Sequence, residues 1–189
     1  LMAGQDPNEI IVAQTGRIWV APVGTAEPAD AATAPSIAWL DLGYTTEDGV
    51  TLTFDKSVKE IMGWQSRDPL RIIIENEPKM IGFELMQNNP ITMSYALGGG
   101  AWTEPTTGNA LFTPPTPGVV DERAMIVELV DGTSVFRFHF RKTMQQASVA
   151  LKGVRADAST LPIEASVLAP PAGVTDAYII HTNDPAFTA

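Results

Sequence analysis

The sequence contains no cysteine. Disulfide scaffolds, thiol catalysis and cysteine-based zinc sites are therefore excluded. Histidine occurs only twice, at His139 and His181, which leaves few bases for proton transfer or for activating a nucleophile. Charge is also sparse, at 18% of residues against roughly 25% in an average soluble domain. Basic residues are the scarcer sign: 12 Lys and Arg stand against 22 Asp and Glu, for a formal net charge of −10. The densest basic group is Arg137, His139, Arg141 and Lys142, too small to displace the counterions of a nucleic-acid backbone. No run of 18 apolar residues occurs, so membrane insertion is not expected. Residues 1–7 lack both a basic start and an apolar stretch, so no signal peptide is expected there.

What is present is enough apolar material for a core, at 44% of 189 residues, patterned mostly with a period of two. The alternation predicts strands over 17–21, 50–55, 58–64, 70–76, 79–87, 122–130, 133–142, 146–152, 161–168 and 177–182. Asp48-Gly49 reads as a turn before Val50, and Asp131-Gly132 as a hairpin turn. A second hairpin is expected around Asp55-Lys56-Ser57. The run containing Ile72, Ile73 and Ile74 reads as a strand buried on both faces. Phe136, Phe138 and Phe140 share one face of their strand, with Arg137, His139 and Arg141 opposite. Only one helix is expected. Asn89 caps it, Pro90 takes the first position, Met93 and Leu97 share a face, and Gly98-Gly99-Gly100 stops it.

These elements predict a mainly β chain, an antiparallel β-sandwich or partial barrel with one short α-helix, in a single domain over 1–189. An N-terminal arm covers 1–15, extended loops rich in Pro cover 22–37 and 103–121, and a C-terminal tail covers 183–189.

The residues offer no catalytic, metal or cofactor site. His139 sits mid-strand and His181 near a strand end, and both read as surface or interface residues. The sequence has no nucleophile elbow, no His-Glu-x-x-His and no calcium loop. Glu75 and Glu77 could form a glycosidase pair only inside a cleft with aromatic platforms. Solvated charges at a strand end are the simpler reading. Trp19 and Trp64 lie in strand patterns and read as core or interface.

Residue order adds a resemblance. Gly16-Arg17-Ile18-Trp19-Val20-Ala21-Pro22-Val23-Gly24-Thr25 is followed by Leu42-Gly43-Tyr44 and Glu47-Asp48-Gly49. Next come Gly63-Trp64-Gln65-Ser66, and then Phe83-Glu84-Leu85-Met86 running into Asn89-Pro90. In this order the four blocks, spanning about the first 100 residues, resemble major tail tube proteins of phages with long, non-contractile tails, especially those infecting actinobacteria.

The resemblance implies a non-enzymatic subunit that forms hexameric rings stacked into a tube, with strands from six copies closing one intersubunit β-barrel. It implies passage of double-stranded DNA without sticking, a tape-measure protein in the bore, and tail-tip and tail-terminator proteins at the ends. The implied location is the virion tail, reached from the host cytoplasm during assembly. On this reading Asp55, Glu60, Glu75 and Glu84 are candidates for the acidic lumen wall, with outer-surface or interface positions as the alternative for each. Val50, Leu52, Phe54, Asp55, Lys56 and Ser57 are the candidate intersubunit residues. A head–tail joining protein and a sugar-binding or sugar-cleaving β-sandwich are the competing readings.

Overall fold

The computed structural model describes residues 9–146, 149–151, 153, 155 and 158–187. One eight-stranded antiparallel sheet dominates, with strand order β2-β1-β9-β10-β11-β6-β3 and β12 branching from β10. Its members are β1 (Thr15–Pro22), β2 (Leu40–Asp41), β3 (Thr45–Phe54), β6 (Lys79–Leu85), β9 (Glu122–Asp131), β10 (Ser134–Gln145), β11 (Leu161–Val167) and β12 (Tyr178–Thr182). Two further hairpins stand apart from it: β4 (Ser57–Met62) with β5 (Pro69–Asn76), and β7 (Ala101–Thr106) with β8 (Asn109–Thr113).

The long strand β10 is the pivot. Phe136 to Phe140 pair with β12, whereas Thr143 to Gln145 pair with β11, and the register against β9 shifts between Phe140 and Thr143. One strand thereby serves both halves of the sheet, which fold over a common core. Ile18 and Val20 of β1, Met125 and Val127 of β9, and Phe140 meet Ile81 and Phe83 of β6 and Leu161 and Ile163 of β11 there. These side chains alternate along their strands, the period-two pattern read from the sequence.

The one α-helix among the described residues, α1 (Pro90–Ala96), forms where its signals lie. Asn89 Oδ1 accepts from the backbone N–H of Ile91 at 2.9 Å and of Thr92 at 3.0 Å. The Thr92 hydroxyl reciprocates by accepting from the Asn89 N–H at 3.0 Å, closing a capping box. Gly98 turns out of the helix at φ 75°. The buried face carries Thr92, Tyr95 and Ala96; Met93 packs partly buried against the core, and Leu97 is exposed. Burial in this core pushes the pKa of the Tyr95 hydroxyl up.

Several local expectations are corrected. Asp48-Gly49 lies inside β3, where the register against β6 shifts between Thr45 and Val50 and Gly49 takes φ 67°. It is an irregularity in the strand and not a turn before it. The 131–132 turn sits one residue later, because Asp131 pairs with Ser134 and leaves Gly132 and Thr133 between them. The loop expected over 103–121 contains most of the β7–β8 hairpin, whose ladder pairs Trp102 with Phe112. Thr107-Gly108 turns it, with Gly108 at φ 81° and its N–H donating to Glu104 Oε1 at 2.6 Å. Of the strand expected over 146–152, residues 146 and 149–151 belong to no strand, and residues 147, 148 and 152 lie outside the described residues.

The histidine reading is also corrected. His139 is 2% exposed, not a surface residue. The Pro/Ala/Thr-rich loop of 22–37 lies across its face of the sheet and seals it. Arg137 Nη1 donates to the carbonyls of Asp30 at 2.7 Å and Thr33 at 2.6 Å, while its Nε and Nη2 bond Glu128 Oε2. Trp39, following the loop, packs its ring edge-on to His139 and joins Trp19, Ala21, Ala124 and Ile126 in a second apolar cluster. A segment too poor in apolar side chains to fold alone is thus held by charge-assisted bonds to a buried arginine.

Candidate assembly surface

The chain does not turn back at Asp55-Lys56-Ser57. It passes straight from β3 into β4, and the returning chain passes from β5 into β6 opposite. The junction is closed by the Asp55 N–H donating to Pro78 O at 3.0 Å and by Lys56 Nζ at 2.9 Å from Glu77 Oε1. The hydrogen bond from Lys56 holds the Glu77 carboxyl below the usual carboxylate range. The two hairpin halves therefore make one long arm, rooted in the main sheet through β3 and β6. It turns over residues 63–68, where the Ser66 N–H donates to Gly63 O at 3.3 Å.

The outer half of this arm is exposed at every residue of β4 and β5. Val58 pairs with Ile74 and Glu60 with Ile72, while Lys59 pairs with Ile73 and Ile61 with Arg71. Apolar side chains occur on both faces of the ribbon, since neighbours along a strand point opposite ways. Ile72 is 57% exposed, and Trp64 at the turn is 97% exposed. The run around Ile72, expected to be buried on both faces, is covered on neither within the chain. Its hydrophobicity is that of a buried strand, but no other strand of the same molecule pairs with the ribbon among the described residues. A lone two-stranded ribbon is marginal in water, so an apolar pair of this length calls for a covering surface.

The candidate wall carboxylates are not gathered by the fold. Asp55 lies at the junction. Glu60 and Glu75 point to opposite faces of the ribbon by strand parity, with Glu75 3.8 Å from Lys59. Glu84 is exposed on β6 of the main sheet. Among the candidate intersubunit residues, Val50 and Leu52 pack against the core. Phe54 lies 5.4 Å from the Tyr178 ring, and Lys56 is held by Glu77. The exposed apolar surface extends beyond these residues, along β4 and β5. The signal that could have found it was the unbroken Ile72-Ile73-Ile74 run flanked by Arg71 and Glu75, which charges both ends of a strand read as fully buried.

The glycosidase arrangement is not formed. Glu75 and Glu77 each face a lysine and are about half exposed. Among the described residues, no group of three or more His, Asp or Glu is placed to hold a metal ion. No helix among them is long and apolar enough to cross a membrane.

No curated protein matches the chain. The family described as phage tail tube protein matches residues 3–189. That match takes in the sheet, the helix and the uncovered arm alike, and the chain belongs to the phage tail tube protein family.

Proposed function

We propose that the protein is the repeating subunit of the tail tube of a phage with a long, non-contractile tail, as the opening sequence blocks suggest. Six copies close a ring, rings stack, and the bore conducts double-stranded DNA during ejection after holding the tape-measure protein. Tail-tip and terminator proteins bound the tube, and the copies assemble in the host cytoplasm before becoming part of the virion.

The observation that carries this reading is the β4–β5 arm, apolar on both faces and uncovered in a single copy. Burying a Val, Ile or Leu side chain contributes about 1.5–3 kcal/mol each, and part of that sum offsets the cost of immobilising the partners. Head-to-tail burial of such arms yields rings when the rotation closes and a filament when rings stack. The acidic balance supports a non-adhesive bore. DNA carries one negative charge per roughly 1.7 Å, and a cationic wall would retain it. Screening over about 8 Å leaves only carboxylates near the channel to act.

Electron microscopy of concentrated protein tests the reading. Rings or tubes of uniform width are expected, and their loss is expected in a variant with Ile72→Ser and Ile74→Ser. A chain that stays single at every concentration, alone and with tape-measure and tail-tip proteins added, contradicts it.

A further inference from the structure

A cavity lies at the other end of β3 from the arm. The first half of β1 and the start of β3 flank an open cavity of about 820 Å³. Both walls are free strand edges there. β3 ends the sheet order, and on β1 the β2 pairing at Trp19 and Val20 and the Leu42 N–H donating to Ile18 O at 2.9 Å leave Thr15 to Arg17 with no strand on that side among the described residues. The lining carries Asp41, Glu47 and Asp48 against one cation, Arg17, with Tyr44 exposed beside them. Glu47 and Asp48 form no ion pair among the described residues, and Asp41 Oδ1 accepts only the N–H of Gly43, at 2.7 Å.

The turn of the arm carries the opposite charge. Lys56, Lys59, Arg123, Arg137, Arg141 and Lys142 each face a carboxylate of their own chain. Arg67 and Arg71 face none among the described residues. The two arginines outweigh the single Asp68 between them, whose N–H is engaged by Ser66 Oγ at 3.2 Å. Arg17, Lys79 and Arg155 also face no carboxylate within ion-pair distance among the described residues, but only Arg67 and Arg71 stand together at the tip of the β4–β5 arm, in a chain of net charge −10.

We infer that the arm tip of one copy docks in the β1–β3 cavity of a second copy, with Arg67 and Arg71 meeting Glu47 and Asp48. This rests on the self-assembly proposed above and names the two surfaces that meet. The tip cannot reach its own cavity. The cavity opens at the start of β3, whereas the arm continues past the end of that strand. From Val50 to Met62 the separation is roughly 40 Å at about 3.3 Å per residue. The contact is therefore between different surfaces of two copies, and such contacts propagate. Charge complementarity sets the register and the rate of encounter. The free edges of β1 and β3 offer backbone groups to the incoming turn, and Tyr44 offers a ring face to a guanidinium or to Trp64.

A charge exchange tests the pairing. One variant carries Arg67→Glu with Arg71→Glu, and the other Glu47→Lys with Asp48→Lys. All four positions are exposed, so both variants keep the wild-type circular dichroism and melting temperature. Assembly is followed at low ionic strength by light scattering, and burial of Trp64 by acrylamide quenching. Each variant alone should need at least about tenfold more protein to assemble than wild type. An equimolar mixture should return to within about twofold, because each tip then meets a cavity of opposite charge. Wild-type assembly with either variant assembling equally well, or with a mixture no better than its parts, overturns the docking while leaving self-assembly intact. A wild-type chain that never assembles overturns both.

Discussion

His139 Nδ1 lies 2.7 Å from Glu27 Oε2, so the sheet and the loop that covers it are joined through a buried imidazole. The carboxylate fixes the tautomer: Nδ1–H donates, and Nε2 is left without a proton and without a partner. Arg141 Nη1 shares the same Glu27 oxygen. Burial lowers the His139 pKa first, with Glu27 opposing and Arg141 and His181 reinforcing that shift. A second proton would put a positive charge on a ring buried against Trp39 and beside the Arg141 guanidinium.

Stability should therefore fall with acid below the unfolded value of about 6.5. There the unfolded chain takes up a proton that the folded chain refuses. The loss grows until pH drops through the lowered folded-state value. Melting temperatures measured between pH 7.5 and 5 should show this slope. His139→Phe, which keeps a ring against Trp39, should flatten it. An equal slope in that variant would place the titration elsewhere.

Arg137 is the loop's principal tether. Removing it by Arg137→Met leaves Glu128 without its ion pair and two loop carbonyls without donors. A loss of about 3–5 kcal/mol is expected by denaturant unfolding, since an uncompensated buried partner remains. Limited proteolysis should then cut within 22–37 at protein concentrations where the wild-type loop resists.

Core and arm should respond oppositely to the same chemistry. Val50→Ser and Leu52→Ser remove side chains packed on the intramolecular core, and each should cost about 1–3 kcal/mol of folding stability. Ile72→Ser and Ile74→Ser remove exposed side chains, and each should change monomer stability by about 0.5 kcal/mol or less while weakening assembly. Chemical denaturation of dilute protein beside light scattering of concentrated protein separates the two effects.

Asn89→Ala should cost about 1 kcal/mol, the usual value of a lost N-cap. The added exposure should be confined to residues 90–97. Hydrogen exchange resolves this: faster exchange at Ile91 and Thr92, with the strands unchanged, is the expected result.

The helix was legible because its signals are local. Asn89, Pro90 and Gly98 act on their own neighbours, and no distant contact overrides them. The alternating strands were legible for the same reason, including the aromatic face of β10. Reading stopped where the determining partner is far along the chain. His139 looked exposed because nothing near it announces that Glu27 and Arg137 would draw a loop across it from more than 100 residues away. Ile72, Ile73 and Ile74 looked buried because an apolar run declares that it needs covering and not which molecule supplies the cover. The β7–β8 hairpin was hidden by Pro105, which suits an edge strand and reads locally as loop. Asp48, one of the cavity residues, reads with Gly49 as turn chemistry, and Glu47 beside it carries no local signal of its own. Their role in a strand irregularity depends on the pairing of β3 with β6.

The bare ribbon also makes every newly made copy a colloidal hazard. Its apolar side chains invite indiscriminate clumping, and the shared charge of −10 holds neighbours apart. Added salt then acts in opposite senses on the two outcomes. It shortens the repulsion that prevents amorphous precipitation, and it weakens the arginine–carboxylate contacts that align copies in order. Ordered growth is favoured in dilute electrolyte, and disordered flocculation takes over as electrolyte rises.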